Sequence, residues 1–583
     1  MKKILLLVSV AFTLMASDCN PDSGLNPQTD KPGQVQNFTA TPGDGQVSLS
    51  WLPPQNVATV PITGYEVTMD NWIHKESKTA IQLTHTYTGL TNGTSYTFKV
   101  RAINANGIGP EGVKTATPSS GGTPPLPSGD GNVGPRANNY DDPATGIYVS
   151  PAGNDATADG TIGKPYKSIN VALGFAPAGS TIILRNGTYR EGRDVRVRRS
   201  NITIKSAKGE WGVIDLTTFD AGQQEASGVL FYCEDDDNHD NVVTGCKLQS
   251  VEVKGGYYAV CFETTWDWGI MYKPLRKGAS NIIIEDCILH HSTDDVVKVK
   301  PGCENITIRY NEIHSSGQRW ITDPDFITGE CNSEGIDNVN GKSMHVHNNY
   351  IHDICSNAIY AKGGAEDALI ENNLIEKAYG AGIMVGFDTS PDFFSVTTNP
   401  SYYENIRGVV RNNLIINAGW EGIGLYASKD AEVYNNTIVN AVCGILKYHS
   451  PIYFGVVTQD WANPAGCPPN INPSIHHNIV SQPATYTNRM IDIRYATGIY
   501  SFGLSALEGN PKMNNNCYFV SGRNATFTDN RPGSSINNVG LAAWKTHISG
   551  EAGTIEVNPA LDADYLPTNA QCVGMGITVA LKP

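Results

Sequence analysis

The residues best suited to chemistry crowd into one stretch, Asp294-Asp295-Val296-Val297-Lys298-Val299-Lys300, followed by Glu334-Gly335-Ile336-Asp337 and Asn357-Ala358-Ile359-Tyr360-Ala361-Lys362. Along an extended strand side chains alternate between faces, so Val297 and Val299 point inward while Lys298 and Lys300 point out. Outward carboxylates beside ammonium groups suit β-elimination on a uronic acid polymer. The C5 proton of such a sugar is weakly acidic, and it is abstracted only when the adjacent carboxylate is neutralised as enolate-like charge develops. In this reading a lysine is the base, and Lys298, Lys300 and Lys362 crowd one another, which lowers its proton affinity. Asp294, Asp295, Glu334 and Asp337 are the hard-oxygen ligands for a Ca²⁺ ion, which takes about six to eight oxygens in all. The alternative chemistry is glycoside hydrolysis, with the Asp294-Asp295 pair protonating the leaving oxygen and activating water. Further along, charge thins and the outward positions become small or aromatic, so Tyr360, Asp388 and Tyr426, with Arg319 from an insertion, are expected to hold sugar.

These residues need a scaffold that stacks strands in register, and an internal repeat supplies one. Ile306–Asn311, Met344–Asn349, Leu369–Asn373, Val409–Asn413, Glu432–Asn436 and Ser474–Asn478 share one pattern, with final asparagines 38, 24, 40, 23 and 42 residues apart. The shorter intervals fit one turn of a solenoid, and the longer ones fit a turn carrying an inserted loop. Cys287 and Cys246 hold the same place one and two turns earlier. Stacked turns put each position over itself, so the amides are predicted to form a ladder while Val and Ile fill the interior. The histidines His290, His291, His314, His345, His347 and His352 are expected to pack at turn corners beside that ladder.

The solenoid opens with Tyr148-Val-Ser-Pro-Ala-Gly-Asn-Asp155, Lys164-Pro-Tyr-Lys-Ser-Ile169 and Gly179-Ser-Thr-Ile-Ile-Leu-Arg-Asn-Gly-Thr-Tyr189. This segment resembles the start of secreted pectate-lyase-like β-helix proteins, and the resemblance runs over roughly residues 146–580. It implies a right-handed parallel β-helix and an exposed strand face that binds an extended acidic polysaccharide. The Asp295-to-Lys300 spacing is similar to β-helix lyases in which a carboxylate ligates calcium and a lysine follows it, which implies Lys300 as base, Asp295 as metal ligand and Lys362 as second cation. Lys298 departs from that pattern, standing where a further carboxylate is expected. Asp294-Asp295 also resembles the paired aspartates of polygalacturonase-like hydrolases, but the Gly-His-Gly and Arg-Ile-Lys motifs of that family are absent. A third reading is a non-catalytic, glycan-binding or adhesive β-helix.

Residues 34–117 alternate apolar and polar in short runs, as in Val47-Ser-Leu-Ser-Trp51 and Tyr96-Thr-Phe-Lys-Val100, which predicts a β-sandwich. Trp51, Tyr65, Leu90 and Tyr96 resemble the signature of a fibronectin type III module, and Leu90 with Tyr96 its tyrosine corner. Such modules are usually spacers. A Pro/Gly/Ser-rich linker follows over 118–145. The fold class is therefore all-β, a β-sandwich followed by the solenoid at 146–583. Residues 1–19 read as a signal peptide with the apolar core Ile4–Met15, too short to span a bilayer. Cys19 sits where a bacterial lipoprotein carries its lipid, although Asp18 departs from that pattern. The expected location is outside the bacterial cytoplasm: secreted, periplasmic, or attached to a membrane through Cys19. The 42 basic and 57 acidic side chains give a net charge of -15, the wrong sign for holding nucleic acid. The expected partner is an acidic polysaccharide, bound by a monomer. The cysteines show no CxxC or zinc spacing and are read mostly as buried thiols.

Overall fold

The computed structural model describes residues 31–43, 46–54, 60–80, 82–91, 93–118, 131–217, 226–232, 242–264, 277–318, 331–444, 449–457, 468–497 and 503–583. The leader, Cys19 and Arg319 lie outside the described residues. The chain divides into two compact units, 1–122 and 123–583.

In the first unit, Gln36–Gly43, Gln46–Leu52 and Thr84–Thr88 form one antiparallel sheet, and Ile62–Thr68, Glu76–Thr79, Tyr96–Asn104, Gly107–Ile108 and Gly112–Ala116 form the other. Alternating residues turn inward. Trp51 packs edge-on against Tyr65 with ring centroids 5.6 Å apart, and both are buried with Val47, Leu49, Phe98 and Val100. The Tyr96 hydroxyl accepts from the Thr91 backbone N–H at 3.0 Å, a tyrosine-corner contact that fixes the turn before its strand.

The second unit is a parallel β-helix. Three long sheets run its length: one of twelve strands from Ile147–Val149 to Lys512–Asn514, one of eleven from Gly187–Tyr189 to Cys517–Val520, and one of twelve from Val195–Val197 to Ile536–Val539. Each turn contributes one strand to each sheet, and nearly every strand pairs in parallel with its counterparts in the turns above and below. Val195, Val229, Val260, Val297, Ile336, Ile359, Ile383, Ile423, Ile452 and Ile491 form one continuous inward column. Each such side chain, fully buried, is worth about 1.5–3 kcal/mol. At the N-terminal end the helix Ile169–Phe175 closes the interior with Ile169, Ala172 and Leu173, its first turn capped by the Ser168 hydroxyl.

The corner between the first and second sheets explains the Asn-Asn pairs. Asn348, Asn372, Asn412 and Asn435 take left-handed φ of 53–55°, a conformation asparagine tolerates at low cost. The asparagine after each turns into the interior. Oδ1 of Asn349 accepts from the backbone N–H and Nδ2 of Asn311, and the pattern repeats through Asn373, Asn413, Asn436 and Asn478. Cys287 joins below, donating its N–H to Asn311. Above, the ladder continues through Asn516 to the Thr554 hydroxyl, beyond the repeat read from the sequence.

Where the sequence reads a linker, residues 131–145 pack on the solenoid: Arg136 pairs with buried Asp286 at 2.8 Å, and Gly134 N–H donates to Asn348. The C-terminal tail covers the second sheet, laying Ile577 and Leu581 over Leu374, Leu414 and Ile416, and Cys572 over Ile479 and Cys517. Six of the seven free cysteines described are buried, as expected, while Cys331 and Cys355 form a disulfide. The histidines are placed differently from expectation. His290, His314 and His352 lie within strands of the second sheet and His345 and His347 within one of the first; of the six, His291 alone sits just past a strand end.

Asn373→Ala removes the acceptor of the buried Asn349 N–H and one of the donors to the carbonyls of Val346 and Glu371. At roughly 1–3 kcal/mol for an unsatisfied buried group, the unfolding free energy measured in urea is expected to fall by about that amount, with far-ultraviolet circular dichroism of the native state unchanged.

Candidate active site

The third sheet carries the charged residues. Its outward row, in register from turn to turn, is Cys261, Lys298, Asp337, Tyr360, Met384, Gly424, Tyr453 and Asp492. The corner before these strands forms a second row. There the carbonyls of Glu334, Asn357, Ala381 and Glu421 accept from the backbone of the preceding turn, which stacks these residues over one another.

Three buried carboxylates meet at this junction. Asp295, Glu334 and Asp337 each bring an oxygen within 4.8 Å of the others. The Lys298 ammonium lies among them, 3.0 Å from Asp295 and in close contact with Asp337. Although burial pulls the Lys298 ammonium down, Asp295 and Asp337 outweigh it and hold its pKa well above the usual value. Although burial pushes Asp337 up, Lys298 and then Lys362 hold it below the carboxylate range. Glu334 goes the other way: burial first, then the charges of Asp295 and Asp337, hold it well above its ordinary value and therefore protonated. Asp295 Oδ1 also accepts from the Glu334 backbone N–H at 2.8 Å, and Oδ1 of Asp337 has no hydrogen-bond partner among the described residues.

The remaining expected residues divide into those brought to this junction and those kept from it. Lys362 is, with a half-buried side chain over the Tyr360 ring at 4.4 Å and no carboxylate within 4 Å among the described residues. Asp294 stands apart from the trio, accepting from Ser333 Oγ at 2.8 Å. Lys300, the expected base, is ion-paired with Glu263, and Lys298 is paired twice. The lysine-on-lysine crowding expected to lower a pKa is thus replaced by carboxylate contacts, which favour the charged ammonium.

A second correction concerns the sugar-binding residues. Tyr360 and Tyr426 are 3% and 5% exposed, because segment 387–404 folds over this part of the sheet. Phe387 stacks on Tyr360 at 5.4 Å and meets Tyr426 edge-on. The Tyr426 ring fills the space a Cβ on Gly455 would need, 1.8 Å away. Asp388 lies on the same covering segment and is half-buried. Lys298, Lys300 and Lys362 on the neighbouring turns are half-buried.

Sequence reasoning missed a second cluster on this sheet. Buried Glu421 contacts His449 Nδ1 and accepts from the Tyr426 hydroxyl at 2.7 Å, while His449 stacks on Tyr453 at 4.5 Å. Burial pushes the Glu421 carboxyl up, but His449 outweighs it and lowers its pKa. A signal was present, since Glu421-Gly422-Ile423 repeats Glu334-Gly335-Ile336.

The fold and this charged strand face define a right-handed parallel β-helix protein with a fibronectin type III module. Residues 32–117 match the family model described as fibronectin type III domain, and 225–386 and 275–455 match that described as right handed beta helix region. Over 77 residues the chain is 42% identical to a pectate lyase, PEL9, of Emericella nidulans, a match covering 12% of this chain and 18% of that protein. Over 110 residues it is 31% identical to the YwoF protein of Bacillus subtilis, covering 18% of this chain and 22% of that one. The chain thus spans about a fifth of the length of these relatives. Among solved structures, pectate lyase Pel9A is similar at 14% identity and TM-score 0.34, covering 67% of this chain and 79% of that one. The Dettilon tailspike protein is similar at 15% identity and TM-score 0.42, covering 66% and 68%. No helix among the described residues is long and apolar enough to cross a membrane.

The direction of the Glu334 shift fixes a stability trend. Its unfolded carboxyl ionises near 4.5 while the folded one keeps its proton, so this group's contribution is full below that pH and declines as pH rises toward the folded value. Glu334→Gln is expected to flatten that decline, making the variant more resistant to urea than the parent at pH 8 and little different at pH 4.

Proposed function

We propose that this chain cleaves a uronate-containing polysaccharide by β-elimination at the turns bearing Lys298, Asp337 and Lys362. The observation that carries the reading is the junction itself: buried Glu334, whose pKa burial and then Asp295 and Asp337 raise, stands within 4.8 Å of those carboxylates and beside Lys298, which they hold. A lyase needs these three components: a fixed cation for the substrate carboxylate, a base, and a proton donor. Lys298 with Lys300 offsets the charge that spreads onto the uronate carboxylate. Lys362 is the base and takes the C5 proton. The electron pair forms the C4–C5 double bond, the C4–O bond breaks, and the departing oxygen takes the Glu334 proton. The base thus moves from Lys300 to Lys362. The match to a pectate lyase, 42% over 77 residues, supports the substrate class.

Calcium does not fit these donors. Asp295 and Asp337 each give an oxygen to Lys298, and a dication beside that ammonium would be repelled. The proposed reaction is therefore metal-independent. A second reading, hydrolysis, draws on the opposite pKa directions of Glu334 and Asp337, which suit an acid and a base. The location follows the notion of an exported enzyme, with the leader cut or lipidated at Cys19 and the protein acting as a monomer.

The test is digestion of a panel of uronate polysaccharides, with calcium and with chelator, following ultraviolet absorbance of unsaturated uronates alongside reducing ends. Both signals are expected to rise together and to be unaffected by chelator. Lys362→Met is expected to lower kcat by about 10²–10⁴, the usual share of a general base, and Glu334→Gln to lower it similarly. Reducing ends without absorbance would replace elimination by hydrolysis, and binding without either product would make this a glycan-binding face.

A further inference from the structure

The second sheet carries a column of imidazoles that the proposed reaction does not use. His290, His314 and His352 are in register on three successive strands, with Lys254 below and Glu376 above. Rings of His290 and His314 stack at 4.6 Å, and those of His314 and His352 at 4.8 Å. His291 lies just past the strand end with φ 55°, which turns its ring perpendicular to His290 and His314. A nitrogen from each of His290, His291 and His314 falls within 4.8 Å of the others.

We propose that His290, His291 and His314 form a binding site for a late first-row transition-metal dication, of the Zn²⁺, Ni²⁺ or Cu²⁺ type. The first support is tautomeric. Nε2 of His290 lies 3.1 Å from Glu252 Oε1, so it carries the hydrogen, and Nδ1 is left as a lone pair. That Nδ1 faces Nδ1 of His291 at 2.6 Å. A carboxylate behind a histidine is the arrangement that fixes a ligand's tautomer and ring orientation in metal sites. The second is ligand chemistry: imidazole nitrogen suits these ions, whereas the hard-oxygen ions prefer carboxylates.

The geometry needs modest movement. At metal–nitrogen bonds of about 2.0–2.1 Å, tetrahedral ligands stand about 3.3 Å apart, so the His290–His291 pair opens by less than about 1 Å. His314 turns about its Cβ–Cγ bond, leaving the 2.9 Å contact of its Nδ1 with Ser315 Oγ. Lys254 and His352 are the cations facing the column, and Glu252, Glu312 and Asp353 oppose them, the last two by holding His352. His291 and His314 are half-buried, so water or a ligand atom reaches the fourth position. Four residues beyond His291 lies Asp295, which places the ion at the base of the corner leading to the third sheet.

The test uses the full chain without a polyhistidine tag, stripped with chelator and titrated calorimetrically with Zn²⁺, Ni²⁺ and Cu²⁺. One equivalent is expected to bind in the micromolar range or tighter, with nitrogen hyperfine structure in the Cu²⁺ electron paramagnetic resonance spectrum. His291→Asn, whose asparagine tolerates the left-handed backbone, and His314→Gln are each expected to weaken binding at least about tenfold. Glu252→Gln should weaken it by about 10–100-fold. His476→Gln, in the separate pair His476 and His477, is expected to leave it unchanged. Circular dichroism checks that each variant folds. Absence of binding in the parent chain, a Cu²⁺ spectrum without nitrogen ligands, or unaltered affinity in both folded histidine variants overturns the proposal.

Discussion

Strict vertical register is the constraint on which the rest of this molecule depends. Backbone groups of a turn bond to the turns above and below, so a residue's neighbours are fixed by its place in the turn and not by its distance along the chain. That is why Asn349 meets Asn373 across 24 residues and Asn311 across 38, with the same hydrogen bonds. An inserted loop changes the interval but not the partner. The buried amide ladder makes slippage costly, because moving one turn by a residue would bury several unpaired polar groups together. It thereby holds the third sheet, on the far side of each turn, in the register that stacks Lys298 on Asp337.

The same register creates an electrostatic problem and its solution. Asp295, Glu334 and Asp337 stack at one corner with little water, where three negative charges would repel strongly. One cation, Lys298, serves two of them, and the third carboxyl keeps its proton. Burial costs a charged group several kcal/mol unless it is paired, so this division of protons follows from the packing. The result is a neutral acid beside a fixed ammonium, an arrangement an exposed strand face would not hold.

Coverage decides which faces of the solenoid remain available. The C-terminal tail removes the apolar upper part of the second sheet from water, and segment 387–404 does the same for the aromatic part of the third. The turns that neither segment covers are charged on the third sheet and imidazole-rich on the second. Two chemically distinct surfaces thus share one scaffold and are separated by the corner Ser292-Thr293-Asp294.

Both folds were legible in the sequence, because each rests on a short periodic signal: alternation around Trp51 and Tyr96 for the sandwich, and the recurring Asn-Asn pair for the solenoid. The outward placement of Lys298 and its company with Asp295, Asp337 and Lys362 were legible too, since period two and the repeat assign them. The state of those groups was not. Protonation of Glu334, the pairing of Lys300 with Glu263, and the burial of Tyr360 and Tyr426 each depend on what lies across a turn or on top of the sheet. So do the Cys331–Cys355 bond and the contact of Glu421 with His449. Sequence alone determined which residues recur at which position, because backbone hydrogen bonding imposes a period on composition. Tertiary structure decided charge and access, because desolvation and Coulomb energies depend on three-dimensional neighbours that loops of irregular length bring together.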